Sequence, residues 1–129
     1  YQMLKRSVNV DLPDGRQISY LDYTTDSAIP KVYCYCSDTM YDERYFSQIE
    51  EADTLYHEAT FLHEMLDRAN ETHHTTAKQA AEIATKVKAK KLLIGHFSSR
   101  YKTLEGLLEE ALSGFEHTQL AIEGKTFEI

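Results

Sequence analysis

The run Lys91-Leu-Leu-Ile-Gly95 constrains the fold of this chain more than any other stretch. Leu92, Leu93 and Ile94 are consecutive and branched, so a strand built from them carries apolar side chains on both faces, as central strands do. Gly95 lets the backbone turn, and His96-Phe-Ser-Ser-Arg100 follows. An imidazole, small hydroxyls and a fixed cation thus arrive together at a strand's C-terminal end, where ligands bind in open α/β sheets.

The preceding segments repeat that pattern. Lys31 to Cys36 alternates β-branched, aromatic and thiol residues as a strand does, and ends at Ser37-Asp38-Thr39. Asp53 to His57 reads as a second short strand running into Glu58-Ala-Thr-Phe61. Between them, Asp42 to Glu51 has helical spacing through Tyr45, Phe46 and Ile49, and Phe61 to Ala69 holds a helical turn or two. The polar stretch Asn70 to Thr76 offers a threonine N-cap for a helix over Ala77 to Lys88, whose Ala80, Ala81, Ile83, Ala84 and Val87 form an apolar stripe. A last helix runs from about Leu104 to Leu112 and stops at Gly114. Alternating strands and helices imply an α/β fold with a largely parallel sheet covered by helices. Hairpins are expected at both ends: Leu4–Val10 with Gln17–Leu21 around Leu12-Pro-Asp-Gly15, and Thr118–Ile122 with Thr126–Ile129 around Glu123-Gly124. Tyr23 to Pro30 is a loop. Because parallel strand ends converge, the clusters at Asp38, Glu58 and His96, with Thr72-His-His-Thr-Thr76, are expected to form one site.

At 129 residues the chain has the size of one domain and can bury a core without help from a metal or disulfide. No apolar run approaches the ~20 residues of a membrane span, and no signal or transit pattern opens the chain, so a cytoplasmic protein is expected. The start at Tyr1 rather than Met points to a piece of a longer protein. Cys34 and Cys36 share a strand face but are badly placed to bridge, and read as reduced core thiols. A net charge of −7 argues against a large phosphate-binding surface on this segment.

Aspartate, glutamate and histidines at strand ends suit zinc or manganese better than calcium. Each also has a plainer use. His96 reads equally as a hydrogen-bonded structural residue, His73 and His74 as exposed imidazoles before a helix, Asp38 as a cap, and Glu58 with Arg100 as an ion pair. His63 and His117 read as surface residues. One aspartate and one histidine make only a half-built zinc site, and CxxC, complete HExxH, Gly-rich phosphate loop and G-x-S-x-G signatures are absent.

In order and spacing, Tyr35-Cys-Ser-Asp-Thr39, Ala52-Asp-Thr-Leu-Tyr-His-Glu-Ala-Thr-Phe61, His74-Thr-Thr-Ala-Lys-Gln-Ala-Ala81 and Gly95-His-Phe-Ser-Ser-Arg-Tyr101 closely resemble the C-terminal half of ribonuclease Z, the tRNA 3′-processing endonuclease of the metallo-β-lactamase superfamily. The resemblance implies one partial domain over residues 1–129, the C-terminal portion of an αββα sandwich with a mixed sheet. The family's H-x-H-x-D-H motif, a further metal-binding histidine and the tRNA-gripping arm belong to the other half and do not occur here. By resemblance, Asp38 bridges two zinc ions, His96 ligates one, and His74 stands beside the scissile phosphate as proton donor or transition-state stabiliser. Glu58 orients a histidine or the metals from behind, and Ser98 and Arg100 shape the phosphate side. Two metals ~3.5–4 Å apart clamp a phosphodiester and supply hydroxide at neutral pH. The implied substrate is precursor tRNA, contacted mainly through sequence outside this segment, and no membrane is involved. An isolated half is expected to be inactive and to dimerise through the sheet face meant for its partner. The alternatives are a non-catalytic half-fold that docks on another chain, or a superfamily hydrolase of small esters.

Overall fold

The computed structural model describes residues 2–25 and 28–129 and divides into two compact units, Tyr1–Pro30 and Lys31–Ile129. In the first, α1 (Gln2–Lys5) precedes an antiparallel pair, β1 (Val10–Asp11) and β2 (Gln17–Ile18), with Val10 opposite Ile18. Leu12 N–H donates to the Arg16 carbonyl, Gly15 takes φ +84°, and the Asp14 carboxylate accepts from the Arg16 backbone N–H and Nε. The opening hairpin is therefore present with much shorter strands than expected. Its expected first strand gives way to a helical turn at Gln2–Lys5, and Tyr20–Asp22 forms a 3-10 turn in which the Ser19 hydroxyl accepts from Leu21 N–H. Asp26 and Ser27 of the expected 23–30 loop lie outside the described residues.

The second unit holds β3 (Tyr33–Cys36), α2 (Phe46–Ile49), β4 (Thr54–Glu58), α3 (Leu66–Glu71), α4 (Ala77–Lys86), β5 (Leu92–Gly95), α5 (Glu105–Gly114) and β6 (Thr118–Leu120). The strands form one sheet in the order β3-β4-β5-β6, every pair parallel. Parallel and antiparallel pairing, expected together in one mixed sheet, are thus divided between two sheets. Sheet order that follows chain order, with crossovers of one hand, puts every connecting helix on the same face. Cys34, Cys36, Leu55, Leu92 and Ile94 point to that face and pack with Ala80, Ala81, Ile83 and Ala84 of α4 and Leu107 and Ala111 of α5. Alternation sends Tyr33, Tyr35 and Tyr56 to the other face, where Tyr33 is 44% and Tyr35 64% exposed.

The α4 start is built as its threonines predict. The Thr76 hydroxyl accepts from Gln79 N–H while the Gln79 side chain accepts from Thr76 N–H, a reciprocal capping box. Two expectations are corrected. Residues 126–129 form no strand: β6 takes β5 as its parallel neighbour, and the Lys91 and Lys31 ammonium groups hold the Glu128 and Ile129 carbonyl oxygens. Nor does Gly95 make the turn after β5, since the left-handed residue is His96, at φ 57°. Gly95 is required instead by close approach, because a Cβ there would lie 2.3 Å from the Tyr56 hydroxyl and 2.7 Å from its Cζ. Among the described residues no helix is long and apolar enough to cross a membrane.

Candidate metal centre

Parallel pairing in register, Cys36 beside His57 and Glu58 beside Gly95, brings the C-terminal ends of β3, β4 and β5 to one edge. Asp38 leaves β3, Glu58 ends β4, His96 follows β5, and His74 precedes α4. Asp38 and His96 both hold positive φ, 51° and 57°, which costs a non-glycine residue energy. Neither acts as a helix cap; Asp42 caps the next turn, accepting from Arg44 N–H.

Glu58 is fully buried, and its carboxylate is matched donor for acceptor. Oε1 accepts from Thr39 N–H at 2.5 Å, while Oε2 accepts from the Thr60 hydroxyl at 2.7 Å, Thr75 N–H at 3.0 Å and His74 Nδ1 at 3.0 Å. It makes no ion pair with Arg100, contrary to one plain reading of the sequence. Because a carboxylate only accepts, His74 must carry its proton on Nδ1, which leaves Nε2 bare on the side away from Glu58. The Thr75 hydroxyl donates to the Thr39 carbonyl at 2.6 Å, closing the loop after β3 onto the start of α4.

Asp38, His74 and His96 each bring one ligand atom within 4.8 Å of the others. His96 Nε2 lies 3.3 Å from Asp38 Oδ1, and the His74 and His96 ring centroids are 5.3 Å apart. Carboxylate oxygen beside imidazole nitrogen is a donor set that zinc accepts, so these residues fit one flank of a zinc centre. His74, which the resemblance implies beside the phosphate, belongs to this cluster together with the two expected ligands. His63 is engaged elsewhere, its Nδ1 3.0 Å from the Thr76 hydroxyl, and His117 lies outside the cluster.

Beyond the cluster, the Arg100 guanidinium lies 5.2 Å over the Phe61 ring, whose edge meets His74 at 6.1 Å between centroids. No carboxylate pairs with Arg100 among the described residues, so its charge is open to a ligand. Ser98 N–H donates to the Thr60 carbonyl at 3.1 Å, tying the segment after β5 to the end of β4.

Sequence reading missed the threonines and the Tyr45–His57 pair. His57 is wholly buried, with Nδ1 donating to the Glu58 carbonyl at 2.9 Å and Nε2 accepting from the Tyr45 hydroxyl at 3.0 Å. Burial pushes the His57 pKa down and the Tyr45 pKa up, so both stay neutral. The available signal was a threonine one or two residues after Asp38, Glu58 and His74: Thr39, Thr60 and Thr75.

No family model matches the chain. Among curated proteins, a ribonuclease Z of Cytophaga hutchinsonii is 58% identical over 95 residues, 74% of this chain and 30% of its own length. A ribonuclease Z of Porphyromonas gingivalis is 49% identical over 123 residues, 95% of this chain. The chain belongs to the ribonuclease Z family. It spans 40% of the length of the Porphyromonas ribonuclease Z. Of solved structures, the metallo-β-lactamase fold protein YhfI of Bacillus subtilis aligns with TM-score 0.68 at 25% identity over 74% of this chain and 39% of its own. A long-form RNase Z from yeast aligns with TM-score 0.61 at 30% identity over 70% of this chain and 12% of its own. The fold is the C-terminal portion of the metallo-β-lactamase fold, as a ribonuclease Z segment requires.

Proposed function

We propose that this chain supplies one flank of the active site of a zinc-dependent endoribonuclease that removes the 3′ trailer from precursor tRNA. The observation that carries this reading is the convergence of Asp38, His74 and His96 in front of the saturated Glu58 carboxylate. Asp38 and His96 would hold zinc, which when bound polarises the phosphodiester and activates water. Hydrogen-bonded through Nδ1 to Glu58, His74 can hold a proton on Nε2 and pass it to the leaving oxygen, with the buried carboxylate stabilising the imidazolium. Arg100, over the Phe61 ring, and Ser98 would shape the phosphate side. On this reading residues 1–129 belong to one partial domain of a cytoplasmic protein.

Three ligand atoms from one edge do not complete a two-metal site, so the segment alone is inactive and binds zinc weakly. Tight two-zinc occupancy of the purified chain by elemental analysis would contradict this. Co-expression with a chain carrying an H-x-H-x-D-H motif is expected to restore precursor-tRNA cleavage that His74→Ala abolishes; an assembled pair with no cleavage sinks the reading. The uncovered tyrosine face favours a second reading, a half-fold that pairs with another copy and performs no chemistry; it predicts a stable homodimer and no cleavage in that same assay.

A further inference from the structure

The Thr60 side chain has more neighbours than a hydroxyl can serve in only one way. Its backbone is fixed on both sides, N–H donating to the Thr75 carbonyl and C=O accepting from Ser98 N–H. That pins Oγ1 2.7 Å from Glu58 Oε2, 2.9 Å from the His96 carbonyl oxygen and 3.1 Å from His96 Nδ1. A hydroxyl has one proton and two lone pairs. Carboxylate and carbonyl oxygens only accept, so a bare Nδ1 would leave three acceptors around a single proton. With the proton on Nδ1, His96 donates to Oγ1, and the Thr60 proton goes to Glu58, its nearest neighbour.

We propose that Thr60 is a positioning residue that fixes the tautomer of His96 and links it, through the carboxylate that fixes His74, into one chain: His96 Nδ1–H to Thr60 Oγ1–H to Glu58 Oε2, which also accepts from His74 Nδ1–H. Both rings then carry a bare Nε2, and the 3.3 Å between His96 Nε2 and Asp38 Oδ1 becomes a gap between two lone pairs, which a shared cation would bridge. The value of this arrangement to the site rests on the zinc reading above; the tautomer itself does not.

Long-range 1H–15N spectra of the metal-free chain, recorded well above the imidazole titration range, read the tautomer directly. In the native chain His96 is expected with Nδ1 protonated and Nε2 bare. Thr60→Val, isosteric but without the hydroxyl, should shift His96 toward the Nε2-protonated form while His74 keeps its tautomer, and Thr60→Ser should restore it. A native His96 protonated on Nε2, or a tautomer that Thr60→Val leaves unchanged, overturns the proposal. If Thr60→Val fails to fold, the native and Thr60→Ser spectra decide alone. Zinc affinity, measured by competition with a chromophoric chelator, should fall about 10- to 100-fold in Thr60→Val. A native chain with no measurable zinc affinity but a tautomer that responds to Thr60→Val supports the lock, and the co-expression assay then decides the zinc reading separately. Unchanged affinity and tautomer in a chain that binds zinc sink the lock alone.

Discussion

Gly95 shows how one residue can have a different job from the one its type suggests. A glycine after an apolar strand reads as a turn, yet the turn falls on His96 and the missing Cβ makes room for the Tyr56 phenol. Gly95→Ala should therefore destabilise the chain by about 1–3 kcal/mol in urea unfolding, as overpacking does, and Tyr56→Ala in the same chain should relieve much of that loss. An additive double mutant would exclude the contact as the cause. His57 gives a pH prediction. Burial lowers its folded pKa below the ordinary 6.5, so below that pH the unfolded chain takes up a proton that the folded chain refuses. Stability present above pH 6.5 is then lost as pH falls, by up to about 1.4 kcal/mol per unit for this one group. Urea titrations of the metal-free chain at several pH values should show this slope, and it should flatten in His57→Gln. Asp38, Glu58, His74 and His96 were legible as a group because each ends or precedes an element. Thr60 was not, because its meaning depends on the ends of β4 and β5 lying side by side.

At the scale of elements, the best-read parts have local causes. The helix over α4 follows from its alanine stripe and the Thr76–Gln79 box, both written in adjacent residues. Thr76→Ala should cost about 0.5–2 kcal/mol, with Thr76→Ser largely retaining the cap, measured by chemical denaturation. A change within error for Thr76→Ala would mean that tertiary packing alone holds this end. Long-range partners hid other features. Glu110 on α5 accepts from His63 N–H at 2.9 Å and from Lys78 N–H at 3.0 Å, serving two helix starts from a third helix, and no spacing rule shows it. The C-terminal hairpin failed for the same reason. Its turn residues are sound, with Gly124 at φ 78°, but the carbonyls of Glu128 and Ile129 are held by lysines at the starts of β5 and β3.

For the second unit as a whole, sheet order decides what stays bare. All crossovers fall on one side, so Tyr33 and Tyr35 have no helical cover; Tyr35 stacks on Tyr56 at 4.5 Å, and burial with Tyr35 nearby pushes the Tyr56 pKa up to about 12. Sedimentation of the isolated chain should show concentration-dependent self-association that Tyr35→Asp reduces; a monomer at every concentration would refute the face as sticky. The strand order has one more consequence. Asp38, Glu58 and His96 end or follow strands that are neighbours in the sheet in the order of synthesis. Each new strand thus has its sheet neighbour already synthesised, so the contacts that gather this flank of the site need no strand made after β5.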